Sequence, residues 1–468
     1  MKKIAVLVSG GGTNLQALID AQARGELATK RIPQVGEWVK EHTRLSPIRM
    51  LETPKGERVI DFGQNLAGYV EVRIKANRGE RIVLRPAETL DKDGNFYTAN
   101  YRTAKNLVTY VCSGGEDVFK PRFSVQGFRY ICLDEFPDIE IDLSRFRAIA
   151  ISSEMKRTSS FVSGNEKINQ LYHNMIWSQM CNYIDVPTDC PQRDERLGWT
   201  GDAQIFARCA AINFDVKKFF RKWLGDVAAD QYADGSVPPF VPLIGVDENM
   251  PISAAWADAA CICPFEMYLA YGDTRILKES FPMMKRWVDY LRTAGPEEYL
   301  WLGGDHFGDW LALDAGEDSY VGATSNDLLA SAYYAYSTSL LVKAGRVLGK
   351  DVSEYEALYE KVVSRFREYF LPEGLPLASY PLTRHIVVGT PPRPHPACGL
   401  TQTALTVILR FRLCEEKHRA QLAEMLVKMI EDAGCMMTGF IGTYYLPHVL
   451  TECGRTDLAY TILIMDAE

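Results

Sequence analysis

Apolar and polar positions along the 468-residue chain follow three successive rhythms. Residues 1–27 begin with an apolar run, Ile4-Ala5-Val6-Leu7-Val8, then a glycine turn, then Leu15, Leu18, Ile19 and Ala23 at helical spacing. This predicts one strand, one tight loop and one helix, a single βα unit. From about Pro47 to Ser153 the rhythm shortens to alternation, as in Val70, Val72 and Ile74, and turns recur at Lys55-Gly56, Arg78-Gly79, Lys92-Asp93-Gly94 and Gly114-Gly115. Strands at that spacing predict an antiparallel β-sandwich. After about Glu154 the period lengthens to 3.6. Ile168, Leu171, Tyr172, Met175 and Ile176 make one stripe, Leu328, Leu329, Ala332, Tyr333 and Tyr336 a second, and Leu422, Met425, Leu426 and Met429 a third. Breaks at Gly272, Gly349 and Gly454 divide this region into helices of ordinary length, as stacked helical hairpins would require. The run Thr390-Pro391-Pro392-Arg393-Pro394-His395-Pro396 must be extended.

Charge and composition narrow the functional classes. With 52 Lys and Arg against 60 Asp and Glu, the formal net charge is −8 and no basic tract is available to neutralise phosphates, so nucleic acid is a poor partner. No segment approaches the ~20 apolar residues needed to span a bilayer, and the first apolar run is too short for a signal-peptide core, so no membrane partner is expected and the chain reads as cytoplasmic. The eleven cysteines form no C-x-x-C pair, and neither they nor the seven histidines show zinc spacing; reduced thiols, no metal and no cofactor are expected. Seven of the eight tryptophans lie between Trp177 and Trp310, with Trp38 apart. That concentration fits either an aromatic core or a surface that stacks flat apolar ligand faces.

The densest polar segment runs from Asp185 to Asp202, where Pro187 and Pro191 preclude a continuous helix. Five carboxylates and two guanidinium groups therefore sit on an irregular connection. Crowded carboxylates push one another's pKa upward, which keeps an acid protonated for delivery to a leaving group. Hydrolysis of a glycoside needs one such acid and a second carboxyl as base or nucleophile. A helix-capping loop laced with Arg–carboxylate pairs would have the same composition.

The run Asp189-Cys-Pro-Gln-Arg-Asp-Glu-Arg-Leu-Gly-Trp-Thr-Gly-Asp202 closely resembles the signature of bacterial α-L-rhamnosidases of glycoside hydrolase family 78. Asp61-Phe62-Gly63-Gln64-Asn65-Leu66-Ala67-Gly68 resembles that family's β-domain motif, and Thr401-Gln402-Thr403-Ala404 and Gly439-Phe440-Ile441-Gly442-Thr443 resemble its later helical motifs. The resemblance covers residues 45–468. It implies a β-sandwich over 47–153 and an (α/α)6 toroid over 154–468, acting on terminal α-L-rhamnosides with inversion, with L-rhamnose-containing glycosides or oligosaccharides as partners. By the same resemblance Glu195 is the general acid, and Asp189 and Arg193 hold rhamnose hydroxyls. Asp202 and Asp309 are further acidic positions at the substrate, and Trp199, Trp256 and Trp310 are aromatic walls. Trp177, Trp223, Trp287 and Trp301 are left to core packing. The family's general base lies on a Thr-Thr-Ile-Trp-Glu type motif beyond the segment matched by Asp457-Leu458-Ala459-Tyr460, and the sequence reaches Glu468 without it. The expectation is therefore an incomplete toroid with one half of the catalytic pair and impaired turnover, its uncovered apolar faces leaving a homo-oligomer open.

The first 27 residues, Lys2-Lys3-Ile-Ala-Val-Leu-Val-Ser9 through Asp20, are similar instead to the opening of phosphoribosylglycinamide formyltransferase. That resemblance implies phosphate binding by Gly10, Gly11, Gly12, Thr13 and Asn14, through backbone N–H groups aimed at an anion. The residues that perform formyl transfer have no counterpart, so 1–27 reads as a leader joined through a linker at 28–46. Three functional classes result: a glycosidase of rhamnosidase type, a non-catalytic rhamnoside-binding fragment, and a formyltransferase.

Overall fold

The computed structural model describes residues 36–244, 250–317, 319–380, 383–385, 393–395 and 397–465. The glycine loop at residues 10–14 lies outside them. The described chain divides into two compact units. One holds the described part of Met1–Phe161 with Asn169–Leu197 and Phe214–Lys222; the other holds Val162–Ile168, Gly198–Asn213 and the chain from Trp223 onward.

The first unit is built on ten strands in its N-terminal part: β1 (Val39–Leu45), β2 (Arg49–Glu52), β3 (Arg58–Lys75), β4 (Arg81–Ala87), β5 (Thr89–Leu90), β6 (Phe96–Tyr97), β7 (Val108–Val111), β8 (Glu116–Phe119), β9 (Gln126–Glu135) and β10 (Phe146–Ser153). β3 is 18 residues long, and it pairs with β10 and β9 along its length and with β2 and β8 near its ends. The order β1-β10-β3-β9-β4-β7 runs through one curled antiparallel sheet. Alternate residues reach opposite faces of a strand. Ile60, Phe62, Val70, Val72 and Ile74 enter one apolar core with Phe128, Ile131 and Phe146, while Val59 enters a second with Ala87, Phe96 and Tyr130.

The motif Asp61–Gly68 is where β3 changes register against β9. Asp61 is fully buried; Arg129 donates to both its oxygens at 2.9 and 3.1 Å, Arg49 to Oδ2 at 3.3 Å, and the Gly63 N–H to Oδ1 at 2.8 Å. Burial pushes this carboxyl up, but those donors hold it below its ordinary value. Gly68 is required sterically, since a Cβ there would stand 1.9 Å from the Ile149 carbonyl oxygen.

Helix α1 (Glu166–Asn182) follows, then the short pair β11 (Tyr183–Ile184) and β12 (Val186–Pro187). Of the stripe predicted for α1, Ile176 is buried and Leu171 remains exposed. Two further strands, β13 (Thr383–His385) and β14 (Arg393–His395), pair antiparallel, so the described part of the proline-rich run is extended.

In the second unit, the helices α2 (Thr200–Asn213), α4 (Ala259–Tyr271), α6 (Asn326–Val347), α8 (Gln402–Arg410) and α10 (Phe440–Glu452) form an inner layer in which each packs on the next and α10 touches α2. After α3 (Lys217–Asp230), the outer helices α5 (Thr274–Leu291), α7 (Ser353–Phe370), α9 (Glu416–Ala433) and α11 (Thr456–Ile464) each pack on the inner helix that precedes them. The inner helices α6 and α8 are mostly apolar or small residues, because they are covered on nearly every side. In α6, Leu328, Leu329, Ala332, Tyr333, Ser337 and Leu341 are all buried. Gly272 ends α4 in the left-handed conformation at φ 65°, and Asp273 then caps α5 by accepting from the Arg275 N–H. All eleven cysteines are free thiols, and among the described residues no helix is long and apolar enough to cross a membrane.

Candidate functional site

The signature segment contributes a charged cluster to the first unit. Its loop is pinned at both ends: the Asp189 N–H donates to the Leu197 carbonyl at 3.0 Å, and the Leu197 N–H donates back to Asp189 Oδ1 at 2.8 Å. Between these points the chain folds so that Arg193 Nη2 lies 3.5 Å from Asp189 Oδ2 and 2.9 Å from Glu195 Oε2. Asp189, Arg193 and Glu195 are thus brought together as expected from the sequence. Burial, joined by the Glu195 charge, pushes the Asp189 carboxyl above its ordinary value. The Nε of Arg193 is buried and has no partner, which leaves a donor for another molecule's oxygen. Asp189, Cys190 and Glu195 offer ligand-type atoms within 4.8 Å of one another. The Arg193 guanidinium already supplies positive charge there, and burial pushes the Cys190 thiol up to about 12, so the sulfur carries its proton and is a poor metal ligand.

A residue that sequence reading missed joins this cluster. Arg102, from the loop after β6, donates from Nη1 to Glu195 Oε2 at 3.0 Å. Its neighbour Thr103 donates from both backbone and hydroxyl to Asp194 Oδ2, and Asn106 Nδ2 donates to the Gln192 carbonyl at 2.6 Å.

The second unit gathers the three selected tryptophans near the N-terminal ends of the inner helices. Trp199 directly precedes α2, Trp256 precedes α4, and Trp310 lies on the connection that leads to α6. Phe307 links them: its ring centroid is 5.6 Å from that of Trp199, 4.9 Å from that of Trp256 and 6.1 Å from that of Trp310. Phe440, at the start of α10, stacks on Trp256 at 6.0 Å. Phe307 was not singled out from the sequence, because a lone Phe beside an apolar stretch carries no local signal, and Phe440 was read only as part of the motif Gly439–Thr443. Trp256 has a tight seat: a Cβ on Gly201 would fall 2.5 Å from its ring. Asp202, in the first turn of α2, is half-buried.

Buried polar residues hold these turns. Ala255 has φ 69°, and its N–H donates to Asp258 Oδ2 at 2.7 Å; Asp258 Oδ1 accepts from Trp287 Nε1 at 3.0 Å and from the Ser337 hydroxyl at 2.5 Å. Trp287, assigned to packing, therefore also steadies the turn that carries Trp256. Trp223 and Trp301 are buried, and Trp177 packs half-buried against the β core. His306 is enclosed, with Nδ1 accepting from the Ala254 N–H at 3.1 Å and Nε2 donating to the Gly303 carbonyl at 3.0 Å. Desolvation pushes its pKa down to about 4.

Asp309 departs from the expected substrate contact. It is fully buried, and four protein donors take its two oxygens. Oδ2 accepts from the Thr403 hydroxyl and the Gly439 N–H (2.8 Å); Oδ1 accepts from the N–H groups of Ile441 (2.8 Å) and Gly442 (3.3 Å). A carboxylate at a helix N-terminus meets exposed N–H groups and the positive end of the helix dipole. Asp309 is thus the anchor of α10, and the Phe440 N–H closes the arrangement by donating to the Trp310 carbonyl at 2.8 Å.

Comparison with known families decides what these residues belong to. Residues 156–468 match the bacterial α-L-rhamnosidase six-hairpin glycosidase domain, and residues 51–152 match the bacterial α-L-rhamnosidase concanavalin-like domain. The chain belongs to the bacterial α-L-rhamnosidase family. It is 33% identical over 434 residues to an α-L-rhamnosidase of Formosa agariphila, covering 91% of this chain and 44% of that protein. To one of Streptomyces avermitilis it is 34% identical over 425 residues, covering 89% and 38% respectively. Among solved structures, a Streptomyces avermitilis α-L-rhamnosidase complexed with L-rhamnose superposes with a TM-score of 0.83 at 32% identity, over 93% of this chain and 40% of that one. A Dictyoglumus thermophilum α-L-rhamnosidase gives 0.82 at 29%, over 92% and 46%. The chain spans about two fifths of the length of the curated α-L-rhamnosidases just named.

Proposed function

We propose that this member of the α-L-rhamnosidase family recognises terminal α-L-rhamnose and takes part in its hydrolysis with inversion. Glu195 is the proton donor to the departing oxygen, and Asp189 and Arg193 hold the sugar's hydroxyls. The observation that carries the reading is the Asp189–Arg193–Glu195 cluster: two carboxyls share one guanidinium, and a buried Arg193 Nε lacks a partner. Trp199, Trp256 and Trp310 suit the remaining chemistry. Rhamnose is a 6-deoxy sugar whose methyl group and C–H faces need apolar contact, which indole provides. Asp202 is kept as a polar contact, and Asp309 acts through the helix that it anchors.

The test pairs turnover with binding. Release of nitrophenol from 4-nitrophenyl α-L-rhamnoside is expected, and Glu195→Gln should lower it by about 10²-fold or more, the usual scale of general acid catalysis. Calorimetric titration with L-rhamnose should give saturable heat that survives this substitution. Turnover unchanged in Glu195→Gln would remove Glu195 from its role. Binding without turnover would leave a sugar-recognition protein, and the absence of both would overturn the reading.

A further inference from the structure

The proposed function does not explain Arg102. It lies 93 positions before Glu195 and is half-exposed, yet its guanidinium reaches the carboxyl proposed to donate the proton. The approach is built into the backbone. Tyr101 is buried and its hydroxyl donates to the Gly127 carbonyl, which fixes the chain just before Arg102. Arg102 itself has φ 56° and ψ −119°, a left-handed conformation that residues other than glycine rarely adopt. Thr103 and Asn106 then hold Asp194 and Gln192, so three residues of one loop each grip a residue of the signature segment.

Arginine has five N–H donors and no acceptor. Arg102 Nη1 lies 3.0 Å from Glu195 Oε2, and Arg193 Nη2 lies 2.9 Å from the same atom. We infer that Arg102 is a positioning residue for the rhamnoside-cleaving reaction: with Arg193 it grips Oε2 and so fixes the orientation of the carboxyl that hands over the proton. The inference rests on the reading of Glu195 as proton donor. In the step, the bond between the anomeric carbon and the leaving oxygen breaks and its electron pair goes to that oxygen, which takes the proton from Glu195. Water's oxygen bonds to the anomeric carbon, and its surplus proton passes to the solvent. The Glu195 carboxylate left behind is met by two guanidinium groups already in place.

A series of aryl α-L-rhamnosides tests this. Phenoxide leaves only when protonated, whereas 2,4-dinitrophenoxide leaves without help. Arg102→Met should lower kcat on phenyl α-L-rhamnoside tenfold or more and on the dinitrophenyl substrate less than threefold, with KM within twofold of the unmodified protein for both. Arg102→Lys, which restores one donor, should regain at least a third of the loss on the phenyl substrate. Equal losses on both substrates, or no loss on the phenyl substrate, would overturn the role of Arg102 while leaving Glu195 as acid. An unmodified protein that cleaves no member of the series would overturn both.

Discussion

Replacing Asp309 by Asn changes one atom and reverses one hydrogen-bonding role. In the better orientation, the Asn carbonyl keeps the Ile441 and Gly442 N–H groups and its amide replaces Oδ2, facing Thr403 and the Gly439 N–H. The Thr403 hydroxyl can turn and accept; the Gly439 N–H cannot. One buried backbone donor and one amide hydrogen are then left unpaired, at about 1–3 kcal/mol each, for a total of about 4 kcal/mol. The opposite orientation sets the amide against two backbone donors and is worse. At ~2–4 °C per kcal/mol for a unit of this size, the melting transition should fall by about 10 °C. Differential scanning calorimetry reads this shift. Because the Phe440 N–H donates to the Trp310 carbonyl, L-rhamnose affinity should fall with it. A Tm within 2 °C of the unmodified protein together with unchanged L-rhamnose binding would show that Asp309 does not anchor α10.

Two further outcomes follow from the same unit. The unfolded chain protonates its histidine near pH 6.5, whereas folded His306 resists protonation down to about pH 4, so stability should fall as the pH drops across that window and level off below it. The loss should reach about 3 kcal/mol at 1.36 kcal/mol per pH unit, and chemical denaturation of His306→Asn at pH 7 and pH 4.5 should show a smaller difference than the unmodified protein. Gly201→Ala should push the Trp256 ring from its seat, costing at least about 1 kcal/mol by overpacking and weakening L-rhamnose binding about fivefold or more. Calorimetric titration checks the second outcome, and unchanged affinity would place Trp256 away from the sugar.

Much of this was readable in the residue order where the signal is local. The change from period two to period 3.6 marks the passage from sheet to helices, and one fourteen-residue run identifies Asp189, Arg193 and Glu195 together. Long-range relations left no such trace. Arg102 meets Glu195 only because β3, β9 and the loop after β6 fold in a particular way, and an isolated arginine after a tyrosine announces nothing. Asp309 was read as a sugar contact and its anchoring role left no trace, because an acidic residue beside a tryptophan looks the same whether it faces a ligand or the N-terminus of a helix 130 positions later.

The long reach of Asp309 also has a consequence for the order in which the molecule is made. Its acceptors are buried only when Gly439, Ile441 and Gly442 arrive, up to 133 residues later in the chain. At about 5–20 residues per second of synthesis, that interval is on the order of ten seconds. During it the ribosome-bound chain holds an unpaired carboxylate beside Trp310, and Trp256 lacks the phenylalanine that stacks on it. The aromatic cluster is therefore completed long after the β-sheet that precedes it has been synthesised.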